Sequence, residues 1–271
     1  MKVGYYIKKE GLNDDPRVLS VLSGLSSAGV DVYPVPEPSS LLPATDMLLS
    51  FGGDGTFLCA ARRAAEADVP VLGVNLGRLG FLSENPADGI VESILAGKFT
   101  LESREMLAVE GFSKDGFWPY ALNEVCLSRI GSATLGVDVR LGDTLLPTYW
   151  ADGLLVATSS GSTAYNLSAG GPICTPDAGV TILTPVAPHN LNLRPLVIPA
   201  GTPVSLSFHS RDGVARLSLD NRAYELPDGA GVKVVPAHFR LKRVVLEKSN
   251  FFQALESRFF WGQDVRNNSE K

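Results

Sequence analysis

The stretch Met47-Leu48-Leu49-Ser50-Phe51-Gly52-Gly53-Asp54-Gly55-Thr56 decides the fold. It runs from an apolar strand through a glycine cluster into an alanine-rich segment, Thr56 to Ala67, which is a strong helix former. The same alternation extends on both sides. Upstream, Val3 to Ile7 is a β-branched and aromatic strand. Asp15 then Pro16 reads as an N-cap followed by proline at the first helical position. Val18, Leu22 and Leu25 follow at helical spacing, Gly29 closes the helix, and Val30 to Val35 is a second strand. Downstream, Val69 to Val74 is a fourth strand and Pro86 to Ala96 a further helix, stopped by Gly97. Strand, helix, strand, helix predicts a Rossmann-like parallel sheet covered by helices, an α/β domain over residues 1–98.

The texture changes near residue 99. From there to residue 246 the sequence is short strands broken by turn signals. Lys114-Asp115-Gly116, Leu141-Gly142-Asp143 and Arg211-Asp212-Gly213 read as hairpin-like turns. Val204 to Phe208 and Ala215 to Leu219 alternate apolar with polar, as half-buried antiparallel strands do. The expectation for 99–246 is an all-β sandwich domain. Phe251 to Phe260 looks helical and apolar on one side, so residues 247–271 are expected to return to the first domain as a C-terminal helix packed on it.

Of the 271 residues 45% are hydrophobic and 20% charged, the mix of a globular chain able to bury a core. The net charge of −5 argues against a general nucleic-acid binder, which needs a concentrated basic face. Cys59, Cys126 and Cys174 are far apart and in no CxxC pair, which points to reduced thiols in a cytosolic protein. His189, His209 and His238 show no metal-ligand spacing, and no metal site built from protein side chains is expected. The N-terminus turns charged after a short strand, unlike a signal peptide. No run approaches the roughly 18 apolar residues of a membrane span. These features predict a soluble, cytoplasmic protein with no membrane partner.

The glycine cluster carries chemistry as well as fold. Gly52, Gly53 and Gly55 permit positive φ and leave no Cβ in a ligand's way. Free N–H groups at the following helix start favour an anion such as phosphate. Asp54 inside that loop would repel phosphate unless it had a job: accepting a proton from an attacking hydroxyl, or holding Mg²⁺. The plain alternative is that Asp54 N-caps the helix and the glycines make a tight turn. The chain lacks GxxxxGK[ST] and GxGxxG, so neither a Walker-type ATPase nor a standard dinucleotide-binding dehydrogenase is indicated.

Three further segments add to this. Gly73-Val74-Asn75-Leu76-Gly77-Arg78-Leu79-Gly80-Phe81-Leu82 is a second glycine-spaced loop after a strand, or else a plain turn with a buried Phe81. Leu122-Asn123-Glu124-Val125 puts two polar residues at the end of a β pattern, the usual place for a solvated pair. Asp152 to Pro172 runs from an apolar strand into Thr158-Ser159-Ser160-Gly161-Ser162-Thr163-Ala164-Tyr165-Asn166-Leu167-Ser168 and ends in Gly170-Gly171-Pro172. Small side chains let a ligand approach the backbone, hydroxyls can bond ribose and amide groups, and Tyr165 can stack on a planar ring.

In order and in combination these segments (GGDGT, GxNxGxLGFL, NE, and DGxxVxTxxGSTAYxLSAGGP), with Leu183 to His189 and Arg194 to Pro199, resemble the NAD kinase family over residues 46 to 220. The resemblance implies an enzyme that transfers the γ-phosphoryl group of ATP to the 2′-hydroxyl of the adenosine ribose of NAD. It implies that 1–98 binds nucleotide and that the β-sandwich binds NAD. It also implies Mg²⁺ or another divalent metal, and a homodimer or homotetramer whose neighbouring subunit completes the site. Carried over by position, Asp54 is the base, and Gly52, Gly53, Gly55 and Thr56 place the ATP phosphates, Gly55 also facing NAD. Phe81 flanks the adenine, and Asn123 and Glu124 hold NAD through polar contacts. Asp152 and Ala164 reach the nicotinamide side, across a subunit interface. Thr163, Tyr165 and Ser168 line the adenosine pocket, and Ala187 sits beside the adenine.

Two departures stand out: Ser159-Ser160 where the family commonly has Pro-Thr, and Asp220-Asn221 in place of the usual Asp-Gly or Asp-His pair. Three rivals share part of the pattern. A diacylglycerol or sphingosine kinase shares GGDGT but should show an apolar acceptor cleft. A phosphofructokinase-like kinase would not explain GSTAYN and NE. A non-catalytic NAD(P) sensor would have no need to keep a carboxylate beside phosphates, so the presence of Asp54 favours catalysis.

Overall fold

A computed structural model of the chain describes residues 1–77, 80–246 and 251–259. Arg78 and Leu79 of the second glycine loop, and residues 247–250 and 260–271 of the expected C-terminal return, lie outside the described residues. The chain divides into two compact units, Met1–Glu102 with Lys242–Lys271, and Ser103–Leu241.

In the first unit the elements run β1 (Lys2–Ile7), α1 (Pro16–Ser27), β2 (Asp31–Pro34), β3 (Met47–Phe51), α2 (Asp54–Ala64), β4 (Val71–Asn75), β5 (Asn85–Pro86), α3 (Ile90–Leu95) and β6 (Phe99–Arg104). The described strands form one sheet in the order β2-β1-β3-β4, then the late strand Leu241–Leu246, then β6, with β5 beside β4. The pairs from β2 to the late strand are parallel. All five residues of β3 are buried, as a central parallel strand covered on both faces requires. Val18, Val21 and Leu25 of α1 and Ile90 and Ile94 of α3 pack with Met47, Leu49, Leu72 and Val244 of the sheet. Phe57, Ala60, Ala61 and Ala64 are the buried side of α2.

Local chemistry explains the element ends. Asp15 caps α1 by accepting the Arg17 N–H at 2.9 Å, and Pro16 occupies the first helical position. The helix expected over Thr56 to Ala67 instead spans Asp54–Ala64. It begins earlier because Gly53 is the extended cap, and it ends earlier because Asp68 turns left-handed (φ 57°). The helix expected from Pro86 to Ala96 is shortened to Ile90–Leu95. Pro86 pairs with Asn75 in β5 and Gly89 takes φ 74°, so the helix starts only after that break.

The second unit is all β apart from one short helix and adjoining turns among its described residues. Its elements are β7 (Leu107–Glu110), β8 (Tyr120–Ala121), β9 (Glu124–Arg129), β10 (Leu135–Leu141), β11 (Thr144–Leu145), β12 (Tyr149–Ala151), β13 (Gly153–Thr158), α4 (Tyr165–Ser168), β14 (Val180–Val186), β15 (Leu196–Pro199), β16 (Val204–His209), β17 (Val214–Leu219), β18 (Arg222–Pro227) and β19 (Gly231–Pro236). One sheet runs β11-β10-β16-β19-β7-β8, with β12 also beside β10, and the other β15-β14-β13-β9-β17-β18. Val137, Val139, Leu206 and Val234 of the first meet Leu127, Leu154, Val156 and Leu217 of the second in a single core, so the architecture is a β-sandwich. Gly142-Asp143 does make a two-residue hairpin between Leu141 and Thr144. Arg211-Asp212-Gly213 does not make one: β16 and β17 lie in different sheets, and the turn, with Gly213 at φ 68°, carries the chain across.

The chain re-enters the first unit as β20 (Leu241–Leu246) and α5 (Phe251–Phe259). α5 packs on Phe81 through Phe251 and Phe259, whose ring centroids lie 6.0 and 5.6 Å from the Phe81 ring.

Leu127, with no exposed surface in the sandwich core, and Leu191, 82% exposed, make a matched pair of variants. Leu127→Ala is expected to cost about 2–5 kcal/mol of stability and Leu191→Ala about nothing, read as shifts in thermal unfolding midpoint. Equal shifts would contradict the core described above.

Candidate active site

β3 delivers the chain to Gly52, whose N–H donates to the Val74 carbonyl at 2.9 Å and whose φ is 145°. A Cβ at Gly52 would sit 2.5 Å from Thr56 Oγ1, so packing alone demands glycine there. Gly53 and Gly55 differ: a Cβ at either would meet nothing within 4 Å. Both are exposed, at the first turn of an eleven-residue helix. The bare backbone there presents N–H groups and the positive end of the helix dipole to an incoming anion.

Asp54 does not cap this helix: Gly53 is the cap residue and makes no side-chain cap bond, and Asp54 is the first helical residue. Its carboxylate reaches instead to the second glycine loop. Oδ2 accepts the Phe81 N–H at 2.9 Å, and Oδ1 accepts those of Leu82 and Ser83, each at 3.0 Å. The loop can wrap the carboxylate this closely because a Cβ at Gly80 would overlap Asp54 Oδ1. It can lie flat on β4 because a Cβ at Gly73 would come within 2.7 Å of the Leu82 carbonyl. Asn75 Nδ2 donates to the Ser83 carbonyl at 3.0 Å, and the buried Arg243 of β20 donates from Nε to the Leu82 carbonyl at 3.3 Å while pairing with Glu84 and Glu102. This gives Asp54 a structural task. Its mere presence is therefore a weaker argument for catalysis than it is in the sequence.

The second unit carries the other candidates. Asn123 and Glu124, 8% and 7% exposed, lead into β9. The plain reading of a solvated strand end is overturned, because both side chains are enclosed. The hydroxyl-rich segment folds over them. Thr158 N–H donates to the Asn123 carbonyl at 2.8 Å, Thr158 Oγ1 donates to Leu122 O at 2.7 Å, and Gly161 N–H donates to Thr158 Oγ1 at 3.0 Å. A Cβ at Gly161 would overlap the Asn123 carbonyl. Buried Asn166 staples the rest: Nδ2 donates to the Ser162 and Pro172 carbonyls, both at 3.0 Å, and Oδ1 accepts the Thr184 hydroxyl at 2.6 Å. Tyr165, 45% exposed, and the exposed Ser168 lie on α4, with half-buried Thr163 and Ala164 just before it. The Tyr165 backbone N–H bonds to Glu124.

Asp152 and Ala187 lie toward the other end of β13 from Glu124, although Asp152 is near enough to Tyr165 to help push its phenol up, after burial and Cys126. Asp152 precedes β13 and Ala187 follows β14, where the Asp152 N–H donates to the Val186 carbonyl at 2.9 Å. Glu124 pairs near the opposite end of β13, with Ala157. Five residues of strand separate the two ends, about 17 Å at ~3.3 Å per residue. Asp152 is held by Arg129, with the nearest approach at 2.7 Å. Ala187 adopts a left-handed φ of 44°.

Sequence reasoning named Asp220 only as part of a departure from the family pair and gave it no role; it lies in the turn between β17 and β18 at φ 50°. Oδ2 accepts the Leu122 N–H at 2.9 Å, and Oδ1 accepts those of Asn123 at 2.8 Å and Glu124 at 3.3 Å. Burial, and next the nearby Asp220 carboxyl, push Glu124 up to about 8. Burial, followed by Glu124, pushes the Cys126 thiol up to about 12, leaving it unreactive. Among the described residues no group of three or more His, Cys, Asp or Glu is arranged to hold a metal ion.

A Glu124 that keeps its proton when folded and loses it when unfolded makes stability fall as pH rises from about 4.5 to about 8. Glu124→Gln should therefore gain stability over the parent across that window, on the order of a few kcal/mol by pH 8.5 and little at pH 5. Thermal unfolding of both proteins across pH checks this; a difference independent of pH would show that Glu124 is not held neutral.

Residues 42–98 match the ATP-NAD kinase N-terminal domain and residues 122–246 the ATP-NAD kinase C-terminal domain. The NAD kinase of Flavobacterium johnsoniae is 37% identical over 247 residues, covering 88% of this chain and 83% of that one. The NAD kinase of Porphyromonas gingivalis is 42% identical over 226 residues, 82% of this chain and 78% of that one. In fold, the chain is similar to a yeast NADH kinase complexed with NADH, with a TM-score of 0.87 at 22% identity, covering 98% of this chain and 89% of that one. It is similar also to an NAD kinase from Archaeoglobus fulgidus in complex with ATP, with a TM-score of 0.78 at 24% identity, covering 95% and 98%. The chain belongs to the NAD kinase family, and its activity is that of a kinase acting on NAD.

Proposed function

We propose that the chain transfers the γ-phosphoryl group of ATP to the 2′-hydroxyl of the adenosine ribose of NAD, with Asp54 as proton acceptor, and that it works in the cytoplasm as a homodimer or homotetramer. The observation that carries the phosphate half of this reading is the start of α2, where Gly53 and Gly55 leave the backbone open for no packing reason. With Gly52 and Thr56 they form the phosphate cradle. The ribose oxygen attacks Pγ, the bond from Pγ to the β–γ bridging oxygen breaks, and ADP leaves. The hydroxyl proton passes to Asp54. Most of the acceleration in such a loose transfer comes from positioning and charge stabilisation.

An ionised carboxylate offers about four acceptor sites, more than the three loop amides take. Oδ2 holds one of the three loop amides and Oδ1 the other two, so Oδ2 is the oxygen we assign to the hydroxyl. Phe81, whose amide that oxygen holds, is assigned to the adenine face. The protein's own side chains assemble no metal cage among the described residues, and the chemistry suits Mg²⁺ arriving on the ATP phosphates, where it supplies neutralising charge.

Asn123, Glu124, Thr163, Ala164, Tyr165 and Ser168 hold NAD, with the exposed Tyr165 ring as the stacking surface. Asp152 and Ala164 are assigned to the nicotinamide side, across a subunit interface, and Ala187 to the adenine; the Arg129 pair holds the Asp152 carboxylate in place. Cys59, Cys126 and Cys174 are not joined in disulfides, which fits a reducing compartment. No described helix is long and apolar enough to cross a membrane.

Two variants separate the base from the clamp. Asp54→Asn should lower turnover by about 10²–10⁴-fold while NAD still binds, followed as NADP formed with ATP and Mg²⁺ through an NADP-specific dehydrogenase. Gly80→Ala would press a Cβ onto Asp54 Oδ1, so it displaces carboxylate and loop together and should lose both turnover and thermal stability. Turnover lost in Asp54→Asn with the thermal unfolding midpoint near the parent's marks Asp54 as the base, and turnover lost only in step with that midpoint would mean that Asp54 serves the reaction only by holding the loop. Tyr165→Ala should raise the KM for NAD more than it lowers kcat; an unchanged KM removes Tyr165 from the pocket.

A further inference from the structure

Glu124 lines a cavity of about 250 Å³ with Cys126, Ser128, Tyr165, Arg216, Ser218 and Asp220. Its Oε2 is buried and has no hydrogen-bond partner. A carboxylate oxygen left in that state would carry charge without solvation, whereas a protonated oxygen can donate to a ligand atom that enters. The immediate neighbour is Asp220, the half-buried carboxyl that grips the amides of residues 122–124. Its own N–H donates to the Glu124 carbonyl at 3.0 Å, so side chain and backbone of Asp220 both lock onto the same strand end.

Two enclosed carboxyls this close do not both ionise readily. Burial pushes Asp220 up from the usual carboxylate range, and the N–H donors of residues 122–124 and the nearby Arg222 act against it; with three amide donors against the one at Glu124, Asp220 is the better placed of the two to hold the charge. Glu124 receives one backbone N–H, from Tyr165, and takes the proton. The other titratable groups facing the pair are Arg216 on β17, which lines the cavity, and Cys126, a neutral thiol on the same strand as Glu124. Tyr165 on α4 is a neutral phenol pushed up first by burial, then by Cys126, Asp152 and Glu124.

We propose that Asp220 is a positioning residue for the acceptor nucleotide: it sets the backbone from which Asn123 and Glu124 reach NAD, and its charge makes Glu124 offer a carboxylic acid, not a carboxylate, to the ligand. This rests on the reading of Glu124 as an NAD-binding residue. NAD brings an anionic pyrophosphate, so a neutral acid holds it by donating a hydrogen bond without adding repulsion. The strained left-handed φ of Asp220 persists because its side chain is committed to the three amides.

The test is the pH dependence of KM and kcat for NAD between pH 6 and 9.5, in the full-length protein and in Asp220→Asn, Glu124→Gln and the double variant. In the parent, KM for NAD should rise above about pH 8, approaching about tenfold per pH unit as Glu124 ionises. In Asp220→Asn that rise should begin at least one pH unit lower, with KM changing more than kcat. Glu124→Gln should abolish the rise, and the double variant should match it, showing that Asp220 acts through Glu124. A rise at the parental pH in Asp220→Asn, with Glu124→Gln flat, overturns the role of Asp220 alone. If Glu124→Gln keeps both the parental KM and its pH profile, Glu124 does not touch NAD and the site reading itself fails. Should Asp220→Asn not fold, Glu124→Gln and Asp220→Glu still decide. A flat profile in the first with the parental profile in the second supports the proposal, and any other combination opposes it.

Discussion

A carboxylate that accepts several successive backbone N–H groups holds a loop more firmly than any single contact could. Each bond is charge-assisted, and together they fix the dihedral angles between the amides. This chain uses the device twice, once in each unit. Asp54 takes the amides of Phe81, Leu82 and Ser83, and Asp220 takes those of Leu122, Asn123 and Glu124. In both cases the gripped segment carries residues assigned to the nucleotide. The loops of an enzyme that must meet two substrates would otherwise be its least ordered parts.

Such close approach depends on missing side chains. Gly80 makes room for the Asp54 carboxylate, Gly73 for the loop lying on β4, Gly161 for the Asn123 carbonyl and Gly171 for Asn166. Gly53 and Gly55 are of another kind, since nothing in the protein approaches them. The first kind shapes the polypeptide against itself and the second leaves backbone for something else to touch. In a sequence the two look alike.

That distinction also marks what was readable in advance. The strand Met47–Phe51, the Asp15-Pro16 helix start and the alternation of β16 and β17 follow from local propensity and period, and the structure has them where expected. Element ends governed by neighbours were harder: Pro86 reads as a helix start but pairs with Asn75 as strand. Asn123 and Glu124 read equally as a solvated strand end, because the Gly161 turn that encloses them lies some forty residues away in sequence. Asp220 drew notice in the sequence only with Asn221, as a departure from the family's usual pair, and nothing local marked its role. Its partners precede it by 96 to 98 residues, and an Asp-Asn pair between two strands looks like any turn.

The position of β20 has a consequence for how the protein is made. This strand lies inside the first sheet, between β4 and β6, yet it is encoded after the whole of the second unit. It also brings Arg243 to the carbonyl of Leu82, within the loop that Asp54 grips. During synthesis, then, β1 to β4 emerge first but wait with an open edge beside β4, while the ribosome adds Ser103–Leu241, on the order of ten seconds at about 5–20 residues per second. The usual order, in which an N-terminal domain is finished before the next begins, is reversed here. The sandwich can close as soon as its own chain is out, and the nascent nucleotide loop stays unfinished until β20 has followed it.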